Sequence, residues 1–262
     1  MAHQTVATRW LLSKKDLLKV SFAEHKDAQN LLPNLTDIEV KILVDGLTFS
    51  GRGTDSVGDI ALEKASSEAI ERWCCHKLGI STVGCAIRSK KEDAEQNSEC
   101  EFIERFYFDQ FLSHSVQILE SKSESISQEA QIYYYELAAT EYGIVILCLI
   151  IDSANPVCLG LALEKELKNG FKKAAVEALR NYAVYKENKT HFLNLVEEDH
   201  NLWCCSPNLL SKIFERLSSQ SITSSSFIKT PKFKTLTQNV SSILGIEDCP
   251  LFFSRNIAVG NT

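Results

Sequence analysis

Five glutamates in this sequence have the type and spacing to hold a cation: Glu68, Glu71, Glu101, Glu104 and Glu177. Ser67-Glu68-Ala69-Ile70-Glu71-Arg72-Trp73 recurs 33 residues later as Cys100-Glu101-Phe102-Ile103-Glu104-Arg105-Phe106. Val176-Glu177-Ala178-Leu179-Arg180-Asn181-Tyr182 is a weaker third copy, in which Arg180 replaces the second acid. On a helix, residues three and four apart share a face, so Glu68 projects with Glu71, and Glu101 with Glu104. Lys64 lies one turn before Glu68. An ExxER run on a single helix ordinarily means surface charge or an intrahelical pair. The second copy argues otherwise, because Phe102, Ile103, Phe106, Tyr107, Phe108 and Phe111 surround most of its circumference, as in a helix buried on nearly all sides. Buried carboxylates without a partner cost several kcal/mol each. Such a stripe persists where magnesium, arginine or both neutralise it. Magnesium prefers carboxylate oxygen and completes its octahedron with water and phosphates, so glutamates from separate helices suit it.

The elements that must position these acids alternate in period. Asp37–Ser50 begins with a half-buried strand pattern at Ile38, Val40, Ile42 and Val44, and Gly51-Arg52-Gly53 reads as the turn that ends it. Leu62, Ala65, Ala69 and Trp73 recur at helical spacing within Gly58–Lys77. A short strand at Ser81–Arg88 precedes a helix over Asp93–Leu112, and Ser113–Ala130 reads as a loop or a loose exposed helix. Strands are expected at Ile132–Ala138, Gly143–Asp152 and Val157–Leu163, followed by a helix over Asn169–Lys186. Further on come a helix at Leu209–Leu217, a mobile serine-rich run at Ser218–Ser226 and a last strand at Leu251–Val259. The fold class predicted is α+β, a layered mixed domain with repeated strand-helix units. One domain is expected over residues 1–262, with the motif-bearing core at roughly 45–190 and a C-terminal extension at roughly 191–262.

Composition narrows the function. A net charge of -6 without a basic patch gives no general attraction to nucleic acid. The longest apolar run, Gly143–Asp152, is too short to span a membrane. The N-terminus MAHQTVATRW lacks the features of a signal peptide, so a cytoplasmic protein is expected. Nine cysteines, an odd number, read as small buried hydrophobes in a reducing compartment. Cys74-Cys75-His76 and His200 with Cys204-Cys205 lack the spacing of a structural zinc site.

Arranged in order, these segments resemble the YcaO family. Gly51-Arg52-Gly53 through Glu68, Glu71 and Arg72 is similar to its first motif. Gly84-Cys85-Ala86-Ile87-Arg88, Asp93 and Glu101 through Arg105 are similar to its second, and Gly160-Leu161-Ala162 with Lys173 and Glu177 to its third. The likeness covers roughly residues 45 to 190. It implies ATP and Mg2+ as cofactors, with Glu68, Glu71, Glu101, Glu104 and Glu177 as ligands and Asp93 as a further acid. Arg105 would contact the nucleotide phosphates, and Glu101, Glu104 and Arg105 would carry the catalysis. Arg52, Lys64 and Lys173 fall at cofactor-binding positions, although Arg52 and Lys64 stand where many relatives have lysine and serine. The activity implied is ATP-dependent activation of a peptide backbone amide, giving an azoline or a thioamide. The chain would act with a partner that binds the leader peptide, with a dehydrogenase and self-association as further expectations. In relatives a much longer stretch separates the first two motifs. That difference supports a second reading, a non-catalytic scaffold subunit of a peptide-modifying complex.

Overall fold

The computed structural model describes residues 5–26, 31–113, 119–187, 204–218 and 230–259. The chain divides into two compact units, residues 1–102 with 231–262, and residues 103–230.

The first unit begins with α1 (Val6–Ser13), β1 (Lys19–Glu24), β2 (Thr36–Val44), β3 (Leu47–Asp55) and α2 (Gly58–Leu78). The strands form an antiparallel sheet in the order β1-β2-β3. The turn between β2 and β3 is Asp45-Gly46, both at positive φ, the geometry that suits the twist of a two-residue hairpin. Gly51-Arg52-Gly53, predicted as a turn, instead lies inside β3, opposite Ile38–Val40. The reason for these glycines is steric rather than conformational. A Cβ at Gly51 would stand 2.1 Å from the Ala65 carbonyl oxygen, and one at Gly53 2.0 Å from that of Ala61. Bare backbone lets α2 lie directly on β3. Trp10, Val40, Ile42, Ile70 and Trp73 are buried together in the core of this unit. Gly79 ends α2 in the left-handed conformation and donates to the His76 carbonyl.

A second small sheet in this unit has the order β4-β10-β9, formed by β4 (Cys85–Arg88), β9 (Phe233–Asn239) and β10 (Phe252–Ala258). The short α6 (Val240–Leu244) connects the last two. β10 matches the expected final strand and is the central strand, pairing with β4 from Phe252↔Arg88 to Arg255↔Cys85. α3 (Lys91–Leu112) begins in this unit. Its Ser98 Oγ is linked to Ser254 Oγ at 3.1 Å and to Asn256 Nδ2 at 2.9 Å. Thr237 Oγ1 donates to Glu95 at 2.8 Å.

The second unit contains the rest of α3 and an antiparallel meander, β5 (Leu119–Ser125), β6 (Ala130–Ala139), β7 (Ile144–Asp152) and β8 (Asn155–Glu164). α4 (Leu167–Glu187) and α5 (Pro207–Ser218) complete it. The serine-rich run before Ala130, expected to be a loop or loose helix, contains β5. Its partner β6 has three consecutive tyrosines and supplies the pairing that β5 itself does not advertise. Val145–Ile150 of β7 are fully buried, as their continuous apolar run predicts. α4 crosses β8 at Gly160, where a Cβ would stand 2.2 Å from the Ala174 carbonyl oxygen. His200 and residues 219–226 of the expected mobile run lie outside the described residues. Among the described residues, no helix is long and apolar enough to cross a membrane.

Candidate functional site

The same local construction places a glutamate at both packed helices. In β3 the residue after Gly51, Arg52, donates its backbone N–H to Glu68 Oε2 at 2.8 Å. In β8 the residue after Gly160, Leu161, donates to Glu177 Oε2 at 2.9 Å. The glycine brings the helix so close to the strand that a strand amide reaches the glutamate and fixes one carboxylate oxygen. Gly84 repeats part of this at the start of β4, where an added Cβ would meet Phe102 Cβ at 3.1 Å. Gly51 to Glu68, Gly84 to Glu101 and Gly160 to Glu177 are each 17 residues apart. That spacing is a signal the sequence carries and the motif reading missed.

In the first unit, Glu68, Glu71 and Glu101 interact. Glu68 also accepts a 2.5 Å bond from its i+4 neighbour Arg72. Burial pushes the Glu71 carboxyl well above the usual carboxylate range; Glu101, Cys85 and Glu68 push the same way, and Arg88 opposes them. Glu71 is therefore a carboxylate with too little positive charge around it. The predicted cationic positions nearby are engaged elsewhere. Arg52 is buried and directs Nε to both oxygens of Asp37 at 3.1 and 2.9 Å, and Thr54 Oγ1 donates to the same acid at 2.9 Å. Asp37, only 1% exposed, is the residue the sequence reading overlooked. Lys64 is exposed and pairs with Asp55 at 2.7 Å rather than with Glu68. Asp93 is exposed in the first turn of α3.

In the second unit, Glu104, Arg105, Lys173 and Glu177 form the other charged group. Glu104 is 8% exposed, and Arg105 is also buried, so the acidic stripe of this apolar helix is not a solvated face. Burial raises the Glu104 pKa; Arg105 and Lys173 oppose the rise, and Glu177 adds to it. For Lys173, burial acts downward but Glu104, Glu164 and Glu177 outweigh it and hold the ammonium more firmly charged. Its Nζ lies 3.4 Å from Glu164 Oε1. Burial likewise raises the Asp109 carboxyl, against the pull of Arg105.

Carboxylate oxygens beside arginine and lysine fit a hard divalent cation carrying phosphates. Among the described residues, no three acidic, cysteine or histidine side chains stand close enough to enclose a metal by themselves. Magnesium does not need three: it is commonly held by one or two carboxylates plus substrate phosphates and water. Eight of the nine cysteines are buried, as their reading as hydrophobes predicts.

No protein-family profile and no curated protein matches the sequence. Solved structures do match the fold. One is YcaO from Methanopyrus kandleri bound with AMPPCP and Mg2+, with a TM-score of 0.59 and 10% identity over 96% of this chain and 89% of that chain. A heterocyclase in complex with substrate and cofactor matches with a TM-score of 0.65 and 10% identity, covering 98% of this chain and 52% of that chain. The E. coli microcin synthetase McbBCD complex with pro-MccB17 bound matches with a TM-score of 0.54 and 12% identity over 91% of this chain and 87% of that chain. The mixed α+β build, its repeated strand-helix units and these three likenesses agree: this chain has the YcaO fold.

Proposed function

We propose that this chain is a YcaO-type enzyme that binds Mg-ATP and activates a backbone amide of a peptide, giving an azoline or a thioamide. The observation that carries the proposal is Glu71, raised by burial and by two further carboxylates, Glu101 and Glu68. Such a group keeps its proton in the free chain, and a bound cation would take the proton's place.

Glu68, Glu71, Glu101, Glu104 and Glu177 are the acids that would hold magnesium. Bound Mg2+ supplies the charge that gathers the phosphates and offsets negative charge on the phosphoryl group in transfer. Strand amides fix one oxygen each of Glu68 and Glu177, so little side-chain entropy remains to be lost on binding. Glu71 and Glu104 are poised to hold a proton until a cation arrives and then release it. Arg105 and Lys173 offer positive charge to the nucleotide, and the planar guanidinium of Arg105 suits two phosphate oxygens at once. The attacking group belongs to the peptide or to external sulfide, so no nucleophile is required from the chain. Its cysteines suit that division of labour: burial holds the Cys249 thiol up at about 12 and raises those of Cys74, Cys148 and Cys158 as well. Nine cysteines free of disulfides also suit a reducing cytoplasm. A partner protein that binds the leader peptide, and a dehydrogenase where the ring is oxidised, complete the proposed system.

Calorimetric titration with Mg-ATP tests the site. The wild type should bind, and Glu104→Gln should lose binding while keeping its circular dichroism spectrum; retained affinity in the folded variant refutes the assignment. Mass spectrometry of a candidate peptide with partners and ATP separates the products, loss of one water marking a ring and exchange of oxygen for sulfur marking a thioamide.

A scaffold subunit is the second reading. It is favoured by the short connection from Leu78 to Cys85 between the first two strand-helix units and by the commitment of Arg52 to Asp37. Absence of Mg-ATP binding both alone and with partners selects it.

A further inference from the structure

We infer that Asn181 is a positioning residue for Glu177: it holds the edge of β8 so that a strand amide takes one oxygen of that glutamate and the other is left for the cation. The inference rests on the reading that these acids hold Mg2+.

β8 is the outer strand of the β5-β6-β7-β8 sheet, and alternate residues of an antiparallel strand turn their N–H and C=O groups toward its open side. On β8 these residues are Leu159, Leu161 and Leu163, and the chain uses each of them. Leu159 N–H donates to the Cys204 carbonyl at 3.1 Å, and Leu159 C=O accepts from Asn181 Nδ2 at 3.1 Å. Leu161 N–H donates to Glu177 Oε2 at 2.9 Å, and Leu163 gives a backbone hydrogen bond to Glu104. One strand edge thus carries both glutamates of the second charged group.

α4 grips that edge on each side of Gly160, by Glu177 at Leu161 and by Asn181 at Leu159. Between the two grips helix and strand are in backbone contact: a Cβ at Gly160 would stand 2.2 Å from the Ala174 carbonyl oxygen and 2.6 Å from the Ala178 nitrogen. With both polar backbone groups of Leu159 held, the strand resists sliding along the helix, and the Leu161 N–H stays aimed at Glu177. Asn181 is 5% exposed, and only the amino end of its amide can serve a carbonyl.

The first unit shows what another residue does in the same place. Asn181 follows Glu177 by four residues, as Arg72 follows Glu68. Arg72 turns back on its glutamate and bonds Oε1 at 2.5 Å, while the Arg52 N–H holds Oε2, so both oxygens of Glu68 are engaged. Asn181 turns to the strand instead. Among the described residues, no hydrogen bond or ion pair engages Oε1 of Glu177. A carboxylate already fixed by its other oxygen meets a cation with little side-chain freedom left to lose.

The test uses the full chain carrying isotope-labelled leucine, in which the Leu161 amide resonance reports its bond to Glu177, together with calorimetric titration with Mg-ATP. In the wild type, Mg-ATP should shift the Leu161 resonance, because the carboxylate that amide serves acquires a cation. Asn181→Leu keeps the bulk and removes the donor. It should move the resonance upfield before any ligand is added, as the bond lengthens, and weaken Mg-ATP about fivefold or more, the worth of one hydrogen bond. Asn181→Gln keeps an amide donor and should fall between Asn181→Leu and the wild type in both readouts. A role in packing alone predicts the reverse order, with leucine tolerated better than the longer glutamine, and that order overturns the inference. So does a wild-type resonance and Mg-ATP affinity in Asn181→Leu. If Asn181→Leu does not fold, the wild type decides by itself, and a Leu161 resonance indifferent to bound Mg-ATP overturns the inference. These outcomes leave Mg-ATP binding, and with it the enzymatic reading, in place. Absence of Mg-ATP binding by the wild type removes that reading and the cation at Glu177 together.

Discussion

Glu71 is buried beside two further carboxylates, and it sets a pH dependence. Its folded pKa is raised above the ordinary value, so the folded chain holds a proton there that the unfolded chain releases. Stability from this group is full below the unfolded pKa and is lost as pH rises through the folded pKa. In the proposed site magnesium would replace the proton, so Mg2+ should raise the melting temperature more at pH 8 than at pH 6. Glu71→Gln should melt above the wild type at pH 8 without magnesium and gain less from its addition. Differential scanning fluorimetry at both pH values checks this, and a magnesium effect independent of pH would count against Glu71 as a ligand. Asp37 is a different case. Its carboxylate is buried against the buried Arg52, so Asp37→Ala should cost about 3–5 kcal/mol in urea denaturation by removing the counter-charge of that ion pair. The glutamates were legible because they repeat. Asp37 was not, because a single acid in an alternating strand carries no mark of the arginine 15 residues later that the hairpin lays beside it.

At the scale of elements, helix and strand identity followed from periodicity, and α2, α3 and α4 fall close to their predicted spans. The glycines did not. Gly51 and Gly53 sit in a strand because a helix passes over them, and nothing local distinguishes that use from a turn. The same applies to Gly160. Gly160→Ala should destabilise the second unit by about 1–3 kcal/mol, since backbone rather than a movable side chain occupies the space, and should weaken Mg-ATP binding by shifting Leu161 from Glu177. Gly58→Ala is the control, as its Cβ would meet nothing closer than 4.0 Å. Chemical denaturation and calorimetry of the two variants should differ; equal behaviour would dismiss the close strand-helix contact as a determinant of the site. β5 escaped prediction for a related reason, because its pairing is supplied by β6 rather than by its own residues.

For the whole molecule, the C-terminal residues are part of the first unit, where β10 is the central strand between β4 and β9. A chain stopped after Pro250 should lose the cooperative thermal unfolding of that unit, because β4 and β9 would lose their partner and Ser98 its contacts with Ser254 and Asn256. Unchanged unfolding by circular dichroism would show that β10 is dispensable. By itself the sequence determined the strand-helix alternation, the acidic character of three helices and the apolar surround of the second, since these depend on residues within a turn or two of one another. Only the tertiary structure decided that the strand glycines serve helix packing, that strand amides hold Glu68 and Glu177, and that Arg52 and Lys64 serve Asp37 and Asp55. These features join residues distant in the chain, and the free energy of such contacts depends on how closely the backbone lets them approach, which no spacing along the sequence expresses.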